Sequence, residues 1–193
     1  MIGFKKEKLT LNMLKANIVG GLCFIPIYLF FTSLYGYIWD DFILFKSPSE
    51  LIHTYESVNI YLTIFIIVFG IVLHEFIHGL TWSYFTKDGL QSIKFGIVWK
   101  MLTPYCHCKE PLLIKHYKIG GIMPAIVLGF IPVLIGIAFE NISFLFFGIF
   151  FTASAIGDFM LIYLLRNEKN DDMIQDHPSE IGCYVFRKVK NVD

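Results

Sequence analysis

Four long apolar runs cross this chain, and across all four the only Asp, Glu, His, Lys or Arg residues are His74, Glu75, His78 and Asp158. A charge at bilayer depth costs about 2.5 to 3.5 kcal/mol even on the lenient insertion scale, so such groups belong with partners rather than against lipid. These four residues therefore mark a site before any motif is named. Hydrophobic residues make up 55% of the chain and charged residues only 17%, whereas ordinary soluble domains are about a quarter charged. The mean hydropathy of +0.61 agrees, and the bilayer is the expected solvent.

The runs predict four transmembrane helices, over 18–39, 58–82, 119–139 and 142–165. Each has at least the roughly 20 residues that a helix needs to cross the hydrocarbon core. The expected fold is an all-α integral membrane protein with one small β-hairpin between the second and third helices. Residues 1–193 read as a single membrane-embedded domain. Lys5, Lys6, Lys8 and Lys15 precede the first run without a small-residue cleavage pattern, which suggests an anchor rather than a cleaved signal.

Loop charges set an orientation. The 40–57 connection carries Asp40, Asp41, Glu50 and Glu56 against Lys46, whereas 83–118 carries six lysines against Asp88 and Glu110. Arg166, Lys169, Arg187 and Lys188 follow the fourth run. Lys and Arg concentrate on the cytoplasmic side, so both termini are expected there, in a multi-pass protein of the cell membrane. A net charge of zero offers no basic field for nucleic acid. Four scattered cysteines imply no disulfide framework.

Among the connections, only the long one between the second and third runs has internal pattern. Ser92 to Lys100 nearly alternates apolar with polar, and Tyr105 to Leu112 can pair back after the Pro104 turn. That hairpin reads first as a cytoplasmic cap and second as an edge for an extended peptide. The tail from Asn167 to Asp193 offers no clear fold, and Asp176-His177-Pro178-Ser179 reads first as a turn within it and second as a gate over the cytoplasmic mouth. Gly120, Gly121, Pro124, Gly129 and Pro132 suit a closely packed, kinked third helix; carbonyls freed near Pro124 face either the site or a neighbouring helix. Trp39 and Trp82, near span ends, read as interfacial anchors.

The central motif is His74-Glu75-Phe76-Ile77-His78 in the latter part of the second run. Positions i and i+4 share a helix face, so both imidazoles can bind one metal ion, and Glu75 is placed to act as base on the attacking water. Two imidazoles and a carboxylate suit one zinc ion with a position left open. Depth arithmetic selects the carboxylate: His74 and Asp158 each lie 16 residues into spans that descend the same way, about 24 Å down. The small residues Ser154, Ala155 and Gly157 permit close helix approach there. Asp158 is therefore expected to ligate the metal; the alternative is that it hydrogen-bonds a ligand imidazole while another residue completes the site. His116 and Asp172 compete as ligands. Cys106-His107-Cys108 is a poor second site, since alternate strand side chains point to opposite faces.

These residues resemble the membrane-embedded zincins of the site-2 protease type and, more closely, a bacterial domain-of-unknown-function family of zincin peptidases. In the first group a transmembrane HExxH is joined by an Asp from a later transmembrane helix, and His74, Glu75, His78 and Asp158 match that pattern. The resemblance covers the second to fourth spans. The expected function is zinc-dependent hydrolysis of membrane-embedded or membrane-proximal peptide segments near the cytoplasmic face, with Glu75 catalytic and His74, His78 and Asp158 on the metal. A membrane protein or peptide is then the substrate, with no nucleic acid partner, and the oligomeric state stays open. One alternative is a non-catalytic membrane protein that keeps the metal for structure or uses it to bind and hold a partner. A metal or proton transporter ranks lower, because the outer halves of the spans carry only Ser, Thr, Tyr and Asn.

Overall fold

The computed structural model describes residues 4–43, 46, 59–99, 103–177 and 182–188. Among the described residues, four helical stretches, Asn17–Trp39, Ile60–Ser83, Ile114–Ala138 and Ile142–Leu164, are long and apolar enough to cross a membrane. The first belongs to α1 (Met13–Trp39) and the second is α2 (Ile60–Ser83). The third is compound: α3 (Ile114–Pro124), a wider π-helical turn (Ala125–Phe130) and α4 (Ile131–Ala138). The fourth breaks at Ala155 into α5 (Ile142–Ser154) and α6 (Ile156–Leu164).

Local sequence sets these starts. Asn12, Asn59 and Asn141 each adopt extended backbone, and their side chains accept a backbone N–H from the first turn of α1, α2 and α5. Each such cap contributes about 1 kcal/mol. The third helix begins at Ile114 rather than near residue 119 because Ile114 is fully buried, whereas the Lys115 and Lys118 ammonium groups reach Asp171 and Asn170 outside the bundle. Charge alone made the span look shorter than the helix.

The third and fourth stretches form a tight hairpin. A Cβ at Gly148 would meet the Val133 amide nitrogen, and one at Gly136 the Leu145 backbone, so only hydrogen atoms fit between these helices. Close backbone approach of this kind is how apolar helices gain packing without a hydrophobic drive. Tyr35 of α1 packs with Val133, Leu145 and Ile149 at one end of this pair, and Ile77, Leu128 and Phe151 fill the middle. By contrast Leu22, Phe30, Phe65 and Phe69, on α1 and α2, point outward.

Two small sheets cover the other end. The expected hairpin is present as β2 (Ile93–Val98) and β3 (Thr103–Cys108), antiparallel, with Phe95 opposite Cys106. The tail is not featureless. A four-stranded antiparallel sheet of order β1-β6-β5-β4 joins Phe4–Thr10, Gly182–Lys188, Met173–Asp176 and Leu112–Leu113. The all-α expectation is corrected to a mostly helical fold with two small sheets. The first strand holds the lysines read as a flank of the membrane anchor, and its partner lies some 180 residues away, so local alternation could not reveal the pair. Gly182, the first residue of β6, has φ +149, and a side chain there would strike the Leu9 backbone.

The inner face of this sheet presents Ile174, Cys183 and Val185 to Trp82, Tyr117 and Leu165. Beside it, Arg187 donates through Nε and Nη2 to both oxygens of Glu168, at 2.7 and 2.6 Å, and through Nη1 to Glu7. The Arg187 hydrogen bonds hold the Glu168 carboxyl below the ordinary carboxylate value. A lowered carboxylate contributes stability that is present above its unfolded value and lost as pH falls through the folded one. Protection of the β1 and β6 amides, taken relative to their intrinsic exchange rates, should therefore fall below about pH 4.5, and Arg187→Ala should remove most of that acid response.

Candidate metal centre

Within α2, His74 and His78 stand one turn apart on the buried face, 8% and 4% exposed, with ring centroids 4.9 Å apart. Asp158 lies in the first turn of α6, just past the break at Ala155. A helix N-terminus favours negative charge, and the break places one inside an apolar stretch. One Asp158 oxygen is 3.1 Å from His74 Nε2 and the other 3.3 Å from His78 Nε2. One ligand atom from each of the three residues can be chosen so that all lie within 4.8 Å of one another. Bond lengths of 2.0 to 2.2 Å in a tetrahedral zinc site put donor atoms about 3.4 Å apart, so the spacing fits. The Asp158 side chain keeps 26% of its surface accessible, which leaves an approach for a fourth group.

The ring of His78 is oriented from behind. Its Nδ1 lies 2.8 Å from the carbonyl oxygen of Gly120. A carbonyl only accepts, so Nδ1 carries a hydrogen, and Nε2, on the side of Asp158, is the ring atom left for a metal. Gly120 can do this because residue 124 is a proline, which has no N–H to donate to the carbonyl four residues earlier. The kink expected near Pro124 thus faces the site, rather than serving helix packing alone.

Trp82 braces the same histidine. Its indole stacks on His78 at 5.2 Å and on Tyr117 at 4.9 Å, and its Nε1 donates to the Tyr117 carbonyl at 3.1 Å. At 5% exposure it is no interfacial anchor. A Cβ at Gly120 would overlap the indole, so glycine is what lets α3 approach α2 here. Trp39, the other proposed anchor, is 36% exposed and donates to the Ile137 carbonyl at 2.8 Å.

Glu75 points to a different neighbour. A backbone hydrogen bond from Cys106 of β3 holds its carboxylate, which also lies within electrostatic reach of His74, His78 and Asp158. The β2–β3 register accounts for that amide. Residues 104, 106 and 108 sit at the positions where β3 turns its N–H away from β2. Pro104 has none, Cys106 donates to Glu75, and Cys108 donates to Asp176 at 2.9 Å. The outer edge of β3 therefore has its amides engaged, whereas β2, the strand read as an edge for an extended peptide, pairs among the described residues only with β3 in this two-stranded sheet.

The competing ligands lie elsewhere. His116 stacks on Phe85 at 4.1 Å, and the Asp172 carbonyl accepts the Ile114 N–H at 3.0 Å. The Cys106 and Cys108 side chains pack in the core with Cys183. Burial pushes the Cys108 and Cys183 thiols up to about 11 and about 12, so both stay protonated and pack as small apolar groups. Among the described residues, His74, His78 and Asp158 form the one cluster with metal-ligand spacing. Pattern reading missed the site roles of Gly120, Trp82, Tyr117 and Asp176; of these only Gly120 had a local signal, from Pro124 four residues later.

Two helix-borne imidazoles, a converging carboxylate and a glutamate beside the first histidine define a zincin-type arrangement. Residues 67–173 match the family described as "Putative zincin peptidase", so the chain belongs to that family. The match spans every residue of the cluster. Neither the curated proteins nor the solved structures yielded a match.

Proposed function

We propose that this protein is an intramembrane zinc metallopeptidase that hydrolyses membrane-embedded or membrane-proximal peptide segments near the cytoplasmic face. The observation that carries the proposal is the convergence of His74 Nε2, His78 Nε2 and the Asp158 carboxylate, with Glu75 beside them but outside the ligand cluster. A closed structural site would need no such neighbour and would fill its fourth position with protein. Family membership supports the metallopeptidase class. The four apolar stretches and their outward-facing side chains support the membrane setting, and the loop-charge bias supports cytoplasmic termini.

His74, His78 and Asp158 would hold the ion, with Gly120 fixing the His78 tautomer. Bound zinc would acidify a water to a pKa near 7 and polarise the scissile carbonyl. Glu75 takes the proton of the attacking water on a carboxylate oxygen and returns it to the leaving amine. The Cys106 N–H keeps that carboxylate aimed while it carries the proton.

The test is hydrolysis of fluorescein-labelled casein by detergent-purified protein carrying about one zinc per chain. A strong chelator should stop cleavage, and added zinc should restore it. Zinc-loaded protein that leaves casein and membrane-anchored peptide segments intact would defeat the peptidase reading.

A further inference from the structure

Asp176 lies in β5, three residues beyond the family match, and its carboxylate is used on both sides. Oδ1 accepts the Tyr117 hydroxyl at 2.6 Å, and Oδ2 accepts the Cys108 backbone N–H at 2.9 Å. His107 Nδ1 stands 3.9 Å from Oδ2. Burial pushes this carboxyl up from its ordinary value, while the two donors favour its charged form. Such a group persists in a fold only when its partners are well placed.

Each partner leads to a different part of the metal centre. Tyr117 is the outer ring of the stack that runs through Trp82 to His78. It also begins the turn of α3 that ends at Gly120, the acceptor for His78 Nδ1. Cys108 is two residues along β3 from Cys106, whose amide holds Glu75. Glu75 and Asp176 thus grip successive outward amides of one strand. The sheet that carries Asp176 is itself closed by the pairing of β1 with β6.

We infer that Asp176 is a positioning residue for the metal centre, setting the His78 ring through Tyr117 and Trp82 and the Glu75 carboxylate through β3. This rests on the metallopeptidase reading, because it assigns Asp176 to the same site. It goes further in making the C-terminal tail, outside the matched region, part of the working unit. Aspartate suits the place because one carboxylate can accept from both donors at once.

The experiment compares Asp176→Ala, Asp176→Asn and Tyr117→Phe with Arg187→Ala, which loosens the same sheet through Glu7 and Glu168 but touches neither partner. Three properties are read on the full-length protein: zinc affinity by chelator competition, the visible absorption spectrum with cobalt in place of zinc, and amide exchange over residues 103–108. Asp176→Ala should weaken zinc about tenfold, at the low end for residues that support metal ligands. It should alter the cobalt spectrum and speed exchange in β3. Asp176→Asn and Tyr117→Phe should shift the same properties less, and they keep the comparison valid if the alanine variant folds poorly. Arg187→Ala should leave the cobalt spectrum of the parent. An Asp176 series matching Arg187→Ala in all three properties would overturn the inference while leaving the metal centre intact. A parent protein that binds no zinc or cobalt would overturn both readings.

Discussion

Glu75→Gln should retain about one zinc per chain and lose hydrolysis by two to four orders of magnitude, the range expected for removing a general acid–base. The substitution is close to isosteric, and the glutamine carbonyl can still accept the Cys106 N–H that holds Glu75. Only the capacity to take and return a proton is removed. Because Glu75 lies outside the ligand cluster, metal content should not follow activity. Elemental analysis beside the casein assay separates the possibilities. Loss of zinc in this variant would make Glu75 a structural member of the site, and unchanged cleavage would move the base elsewhere.

The parts of this molecule legible in sequence are those whose signal is local or whose cost in lipid is high. Four apolar stretches, the i, i+4 histidines and the hairpin at Ile93–Cys108 follow from periodicity and composition. Asp158 is 84 residues from His74, yet depth arithmetic places it beside that histidine, because two spans expected to run the same way share one ruler. No such ruler exists for the sheet. The pairing of Phe4–Thr10 with Gly182–Lys188 joins the two ends of the chain, and neither strand alternates cleanly. Trp82 shows a different limit: near a span end a tryptophan is ordinarily an anchor, and only the approach of Gly120 and Tyr117 makes it a brace for His78. The break at Ala155 has no local sequence signal, and for the π-helical turn Pro124 is the one hint.

Asp158→Ala should reduce zinc from about one per chain to a small fraction, and this outcome decides how the carboxylate serves the site. A residue that only steadied a ligand imidazole would approach the nitrogen remote from the metal, as the Gly120 carbonyl does at His78 Nδ1. Asp158 instead faces Nε2 of both histidines, 3.1 and 3.3 Å away, on the side where these two ring nitrogens come together. Truncation leaves two imidazoles, one fewer than the three protein ligands of a catalytic zinc site. The effect should therefore exceed the 10- to 100-fold loss typical of supporting residues. Asp158→Asn, which keeps an oxygen donor but no charge, should fall between parent and alanine. His116→Ala and Asp172→Ala should stay at parental zinc, since neither belongs to the cluster. Near-full zinc in Asp158→Ala would return the carboxylate to a supporting role and require a third ligand from another part of the chain.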